Sequence, residues 1–303
     1  MTLPKKPAFL FCILGIGLAA PGDQATIRSG VSLVTIPVHV TTEQGFSLTN
    51  LAREDFQLFE DNTPQKIVSF SKQDAPLSVG FLLDASGSMR NRMRTASESA
   101  VAFCKTANRD DEFFLIHFNE RPRLDIPFTS DPGEILRQVA RVKAFGRTSL
   151  LDAISLALVE MKNARNSRKA IVILSDGGDN RSRHTAGQIR LAMSETDVQL
   201  YAMGIFDGAL EEVSHPREEQ NGPELLSALA AMTGGRHYPV SSFADLTPIS
   251  ERIGLELRNE YVLGYVSTNP ELDGKYRRVQ LKIKSPLPAL RTEYRRGYYA
   301  PKQ

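Results

Sequence analysis

Two runs of this chain, 79–83 and 170–174, are apolar from end to end, and each leads within two residues to an aspartate. Val79-Gly80-Phe81-Leu82-Leu83 runs into Asp84, and Ala170-Ile171-Val172-Ile173-Leu174 runs into Ser175 and Asp176. A strand that is apolar on both sides must be covered on both faces, which is the condition of a parallel sheet held between two layers of helices. Such a sheet presents the carboxyl ends of its strands at one rim, and ligands collect there. Asp84, Ser86, Gly87 and Ser88 therefore read as a rim loop, with Gly87 permitting a turn tight enough to aim both hydroxyls where the aspartate points. Oxygen donors without sulfur or imidazole suit a hard divalent cation such as Mg2+ or Mn2+.

Around these runs the period of the apolar residues switches repeatedly between two and 3.6. Strands are expected at 77–83, 112–118, 123–128, 170–174, 199–205 and 235–239, and helices at 93–107, 132–142, 150–161, 186–195, 223–232 and 243–257. That alternation predicts an α/β fold, a doubly wound and mostly parallel sheet flanked by helices. Pro122 places the third strand at an edge, and 207–222, rich in charge with Pro and Gly but without period, reads as a surface excursion. By itself D-x-S-x-S is a weak signal, because Asp, Ser and Gly are ordinary turn formers. Two further segments strengthen it: Gly146-Arg147-Thr148 enters the helix at 150, and Asp176 ends the second buried strand.

In their order, element type and separation these residues resemble the von Willebrand factor A family and its metal-ion-dependent adhesion site (MIDAS). The family pattern of D-x-S-x-S, then a threonine, then an aspartate falls on Asp84, Ser86, Ser88, Thr148 and Asp176. The resemblance covers 76–260. It implies direct bonds to the ion from Ser86, Ser88 and often Thr148, with Asp84 and Asp176 acting through water or switching to direct contact. Two aspartates balance one divalent charge and neutral hydroxyls leave the ion electrophilic, so an open position accepts a carboxylate from a partner's Asp or Glu. Mg2+ is the expected ion, with Mn2+ and Ca2+ as alternatives. Read as structure alone, the five residues cap strands and helix starts, and that alternative stays open.

Either side of this region the pattern is that of short strands. The segment 26–75 reads as an N-terminal β-module, with strands at 32–40, 55–60 and 66–70, a break at Asp61-Asn62-Thr63-Pro64, and Phe56, Leu58, Val68 and Phe70 facing one core. The segment 261–303 offers strands at 261–266, 277–283 and 290–294. Three strands at each end are few to be stable alone, so the two ends are expected to form one sandwich with the α/β region inserted between them. Residues 51–70 and the ending Arg295-Arg296-Gly297-Tyr298-Tyr299 resemble an exported bacterial group described as VWFA-related.

Lys5 and Lys6 precede an apolar stretch, 8–20, shorter than the ~20 residues of a spanning helix, so 1–20 reads as a secretory signal peptide and the protein as periplasmic or secreted. A membrane association is expected only if that segment is retained. Cys104, on the apolar stripe of a helix, is then the single remaining thiol and reads as core. A net charge of +2 and the lack of any long basic run give no footprint for nucleic acid.

Arginines gather in the three rim loops all the same. Arg90, Arg147, Arg181 and Arg183, with His184, are expected to form a basic ligand-binding rim, and Arg92 and Arg94 lie beside them; loop arginines pairing with Glu98, Asp152 or Asp179 are the bland alternative. Asp152 and Asp179 read either as supports of the site or as helix-start and turn chemistry, and Thr185 with Gln188 as a capping box. The histidines lack ligand spacing for zinc. The function expected is an exported, metal-dependent protein-binding module of the adhesion type, not an enzyme, since no general base, phosphate loop or histidine-paired nucleophile stands out. A metal-dependent hydrolase and a structural subunit with a vestigial site are the alternatives.

Overall fold

The computed structural model describes residues 33–72, 75–175, 178–205, 222–284 and 289–302. Outside them lie the stretch read as a signal peptide, the first residues of the segment read as an N-terminal module, nearly all of the 207–222 excursion, and Asp176. The chain starts with four strands, β1 (Leu33–Thr41), β2 (Phe56–Glu60), β3 (Thr63–Gln65) and β4 (Ile67–Ser71). The α/β region follows as β5 (Leu77–Asp84), α1 (Met93–Cys104), β6 (Glu112–Phe118), β7 (Pro122–Thr129), α2 (Pro132–Val139), α3 (Leu150–Glu160) and β8 (Arg168–Ser175). It continues through α4 (Ala186–Ser194), β9 (Gln199–Ile205), α5 (Gly222–Thr233), β10 (His237–Val240) and α6 (Leu246–Arg258). Four strands close the chain: β11 (Tyr261–Val266), β12 (Tyr276–Ile283), β13 (Arg291–Tyr294) and β14 (Gly297–Tyr299).

The central sheet has the order β10-β9-β8-β5-β6-β7 and is parallel except for β7, which pairs antiparallel with β6 at the edge. Alternate residues of the two buried runs serve opposite cores. Val79, Phe81, Leu83, Ala170, Val172 and Leu174 meet α1, α2 and α6 on one face, while Leu82, Ile171 and Ile173 meet α3, α4 and α5 on the other. This is why both runs are apolar throughout: each position has a helix above it. Cys104 packs against the first of these cores, and burial pushes its thiol up to about 12. α1 and α2 end before their apolar period does because the last turns tighten to three-residue bonds, as Thr106 to Phe103 and Ala107 to Cys104 do after α1 and Arg141 to Gln138 and Val142 to Val139 do after α2. Among the described residues no helix is long and apolar enough to cross a membrane.

The terminal strands interleave into two four-stranded sheets, β13-β1-β11-β4 and β14-β12-β2-β3. Their facing sides share one core built from Ile36, Val38, Phe56, Leu58, Tyr261 and Leu281 among others. Two strands escaped the sequence pattern. Asp61 and Asn62 both take positive φ, 45° and 67°, the two-residue turn whose twist suits a hairpin, so β3 begins at once where a longer break was expected. After Arg296 the chain adds β14 against β12. Val68 corrects another expectation: it stands 51% exposed. A bulge shifts the β4–β11 register there, pairing Ser69 with Gly264 and Ile67 with Tyr265, so the extra residue turns Ile67 inward in place of Val68.

Within this core Glu60 is buried and fully engaged. It accepts from the hydroxyls of Tyr265 and Tyr298 at 2.8 Å each, from Ser267 at 2.5 Å and from the guanidinium of Arg277 at 3.3 Å. Burial works to raise its pKa, but these donors outweigh it and hold the carboxyl below its ordinary value.

Candidate metal centre

β5 ends at the rim in Asp84, which is 0% exposed. A buried carboxylate needs donors, and the loop it begins supplies one: the Ser86 N–H donates to Oδ1 at 2.8 Å. The Ser175 hydroxyl at the end of β8 donates to Oδ2 at 2.6 Å. Beyond Asp84 a short 3-10 turn, Gly87–Met89, carries the serines upward, and the Oγ atoms of Ser86 and Ser88 come to 2.9 Å from each other. Ser86 is buried and Ser88 exposed, so the pair sits at the mouth with Asp84 beneath.

The segment between α2 and α3 is bound to this loop by backbone. Phe145 donates to the Ala85 carbonyl at 2.8 Å, and Gly87 donates to the Gly146 carbonyl at 3.0 Å. Gly146 has φ +76°, a conformation that a side chain disfavours, and a Cβ there would meet Glu120 Cγ at 2.9 Å. Two residues on, Thr148 is buried, its N–H donating to Asn180 Oδ1 at 3.0 Å while the Asn180 N–H donates to the Thr148 carbonyl at 3.1 Å.

The third loop caps α3. Asp179 Oδ2 accepts from the Leu151 N–H at 2.9 Å and Ser182 Oγ from the Asp152 N–H at 3.0 Å, so two donors of the first helical turn are satisfied by a distant part of the chain. Asp179 Oδ1 also accepts from Ser182 N–H at 3.0 Å, which makes this residue a turn and cap former. Asp152 returns the clasp, accepting the Arg183 and His184 N–H groups at 3.0 Å each and the His184 ring at 2.7 Å. Burial works to raise the Asp152 pKa, yet the donors from His184 and Arg183 hold it below the ordinary value. Thr185 and Gln188 form the expected capping box at the start of α4.

The sequence-expected residues thus sort as follows. Asp84, Ser86, Ser88 and Thr148 lie on loops that hydrogen-bond to one another at one edge of the sheet. Asp176 lies outside the described residues, directly after Ser175. Arg90, Arg147, Arg181 and Arg183 are exposed, and among the described residues their guanidinium groups enter no ion pair. Arg92 is buried and does not belong to an open rim, and Arg94 pairs with Glu98. His184 is spoken for as well: its Nε2 lies 3.3 Å from Ser155 Oγ while Nδ1 meets Asp152. That is a serine paired to a histidine and an aspartate, which sequence spacing did not reveal. Ser155 stands mid-helix in α3, where neighbouring N–H groups are committed to helix bonds and offer no oxyanion donors, so the arrangement fastens a loop. Ser175 and Asn180 were also missed; a serine closing a strand and an asparagine in a Gly-rich loop have no signature apart from turn chemistry.

Among the described residues no three His, Cys, Asp or Glu side chains gather as a metal site. The donors at the rim are hydroxyls over one buried carboxylate, an all-oxygen set. Neighbouring oxygens of an octahedral ion bonded at about 2.1 Å stand about 3 Å apart, and the Ser86–Ser88 pair has that spacing. The residues present fit a hard divalent cation.

Comparison with known proteins agrees with this architecture. Residues 79–178 match the sequence profile of the von Willebrand factor type A domain. An uncharacterized protein of Borreliella burgdorferi is 25% identical over 189 residues, 55% of this chain and 54% of its own, so the chain spans about half the length of that relative. A solved von Willebrand factor type A structure from Catenulispora acidiphila aligns with a TM-score of 0.52 and 15% identity, covering 80% of this chain and 75% of that one. Proximal thread matrix protein 1 from the mussel byssus, solved with a zinc-occupied MIDAS motif, aligns with a TM-score of 0.50 and 16% identity over 65% of this chain and 49% of its own. At these identities the structural likeness is one of fold, and the match to the von Willebrand factor type A profile lies within the α/β half of the chain, over residues 79–178.

Proposed function

We propose that this chain is an exported protein-binding module whose contact with its partner is made through a divalent cation at the sheet rim. Asp84, Ser86, Ser88, Thr148 and Asp176 are assigned to the cation, with Mg2+ first and Mn2+ or Ca2+ as alternatives. The reading is carried by the two serine hydroxyls 2.9 Å apart at the mouth above a fully buried aspartate. When bound, the ion supplies a Lewis-acidic position that draws the carboxylate of an Asp or Glu on the partner. The chain's own residues set how strongly. Hydroxyl donors add no charge, Asp84 and its Ser175 donor fix the floor of the site, and the hydrogen bonds between the loops hold the serines and Thr148 in register.

Arg90, Arg147, Arg181 and Arg183 are exposed in the loops that carry these residues, and favour an acidic partner by steering and by bidentate pairs. Support from known proteins is the zinc-occupied MIDAS motif of the mussel protein, which shares this fold. Export rests on the basic and apolar opening of the sequence.

Titration calorimetry with Mn2+ on the wild type and on Ser86→Ala is the test. The wild type releases or absorbs heat that a chelator reverses, and the variant does not; equal heats from both would remove the cation from the argument. Metal-dependent turnover of phosphoester or peptide substrates, lost in Asp84→Ala, would replace this reading with a hydrolase.

A further inference from the structure

The loop before α3 carries one side chain that holding an ion does not explain. From 142 to 145 the chain alternates: Val142 and Ala144 pack against the core under α1 and α2, while Lys143 and Phe145 face outward. An outward position on such a segment calls for a polar residue, and Phe145 instead stands 56% exposed. Among the described residues it is the one large apolar side chain of the three rim loops left so open. It is also rigidly mounted. Its N–H is bonded to Ala85, and the following carbonyl is bonded to Gly87, so the ring rises from a segment hydrogen-bonded to the loop of Ser86 and Ser88. The exposed guanidinium groups of Arg90 and Arg147 belong to these same two loops.

We propose that Phe145 is the apolar anchor of the binding surface, and that the rim takes an acidic polypeptide segment in which the Asp or Glu directed at the ion has a bulky apolar residue beside it. This rests on the metal-dependent reading above. The arginines set the sign of the partner's charge, and the ring sets the neighbour of its acid. A preorganised aromatic loses little conformational freedom on contact, and its desolvation next to a charged centre is the usual composition of an interface hot spot. Removing such an anchor costs roughly 30-fold or more in affinity. The exposed ring contributes little to the fold, so its truncation separates binding from stability.

Short peptides displayed densely on a sensor surface provide the probe, in three forms: an aspartate flanked by alanines, an aspartate flanked by leucines, and an asparagine flanked by leucines. In Mn2+ the wild-type protein is expected to hold the leucine-flanked aspartate roughly 30-fold more tightly than the alanine-flanked one, and to ignore the asparagine form. Phe145→Ala, with an unchanged melting temperature, brings the leucine-flanked aspartate down to the alanine-flanked level, and Phe145→Leu retains part of the preference. Equal affinity for the two aspartate surfaces, or a preference that survives Phe145→Ala, overturns the anchor and leaves the metal reading standing. Binding indifferent to chelator and to the change from aspartate to asparagine overturns the metal reading, and the anchor with it.

Discussion

His39 gives this protein a pH dependence that can be worked out from its surroundings. It lies on β1 at 1% exposure, Nε2 within 2.9 Å of Ser47 Oγ and Nδ1 3.9 Å from Glu256 Oε2 on α6. Neither Nδ1 nor that Oε2 has a hydrogen-bond partner among the described residues. Burial lowers the imidazole pKa to about 4; Glu256 works to raise it, and Arg236 and Arg252 lower it further. The unfolded chain binds this proton near 6.5 and the folded chain only near 4, so as pH falls from 6.5 the unfolded state gains protons that the folded state refuses.

Stability is therefore complete above 6.5 and declines down to about 4, at up to about 1.4 kcal/mol per pH unit. Between pH 7.5 and pH 5 the loss from this one group is about 2 kcal/mol. The lowered pKa values of Glu60 and Glu112 act in the same sense, but only once pH nears their unfolded value of 4.5. His237, also lowered by burial, shares the window of His39, so the wild type alone does not isolate the effect. Urea unfolding of wild type and His39→Gln at pH 7.5, 6.5 and 5 does. The stability difference between the two proteins should move by about 2 kcal/mol in favour of the variant across that range. A difference that stays constant to within about 0.5 kcal/mol would refute the assignment of this linkage to His39.

Glu60→Gln takes from the buried guanidinium of Arg277 the nearer of its two carboxylates, leaving only Asp273 at 4.0 Å, and is expected to destabilise by about 3 kcal/mol, measured by the same denaturation; Glu60→Gln with Arg277→Met should recover part of it. Gly146→Ala forces a Cβ onto a left-handed backbone and against Glu120, costing about 1 to 2 kcal/mol, and adding Glu120→Ala should relieve the contact without the backbone strain. Reversing charge at Arg147 and Arg181 together should slow association with an acidic partner at low salt and change little at high salt, as stopped-flow or sensor kinetics will read; an unchanged on-rate at low salt removes the basic rim.

What the sequence disclosed and what it withheld follow from how local the causes are. The sheet was legible because 79–83 and 170–174 carry both faces of their burial in their own residues. Asp84, Ser86, Ser88 and Thr148 were legible as candidates because a fixed spacing after a strand, and a glycine before a helix, are local patterns. Val68 was misassigned because strict alternation was extended through a bulge that only the pairing with β11 creates. The grip of Asp179 on α3, of Ser175 on Asp84 and of Ser155 on His184 joins residues 28 to 91 apart, and no period or motif in either segment announces its partner. Phe145 was passed over since a single aromatic in a loop is unremarkable until its exposure is known.

The pairing of β4 with β11 sets Ser71 opposite Val262, with the whole α/β half strung between them. For the terminal sheets this is a closure across about 190 residues, which a loose chain makes slowly and at an entropic penalty. A folded α/β half brings the two strands to its own entry and exit points and removes most of that penalty. The expected order of assembly puts the inserted half first, as a template on which the outer strands zip together, so damage to the rim's supporting loops should appear as delayed acquisition of the terminal sheets even where those sheets are untouched.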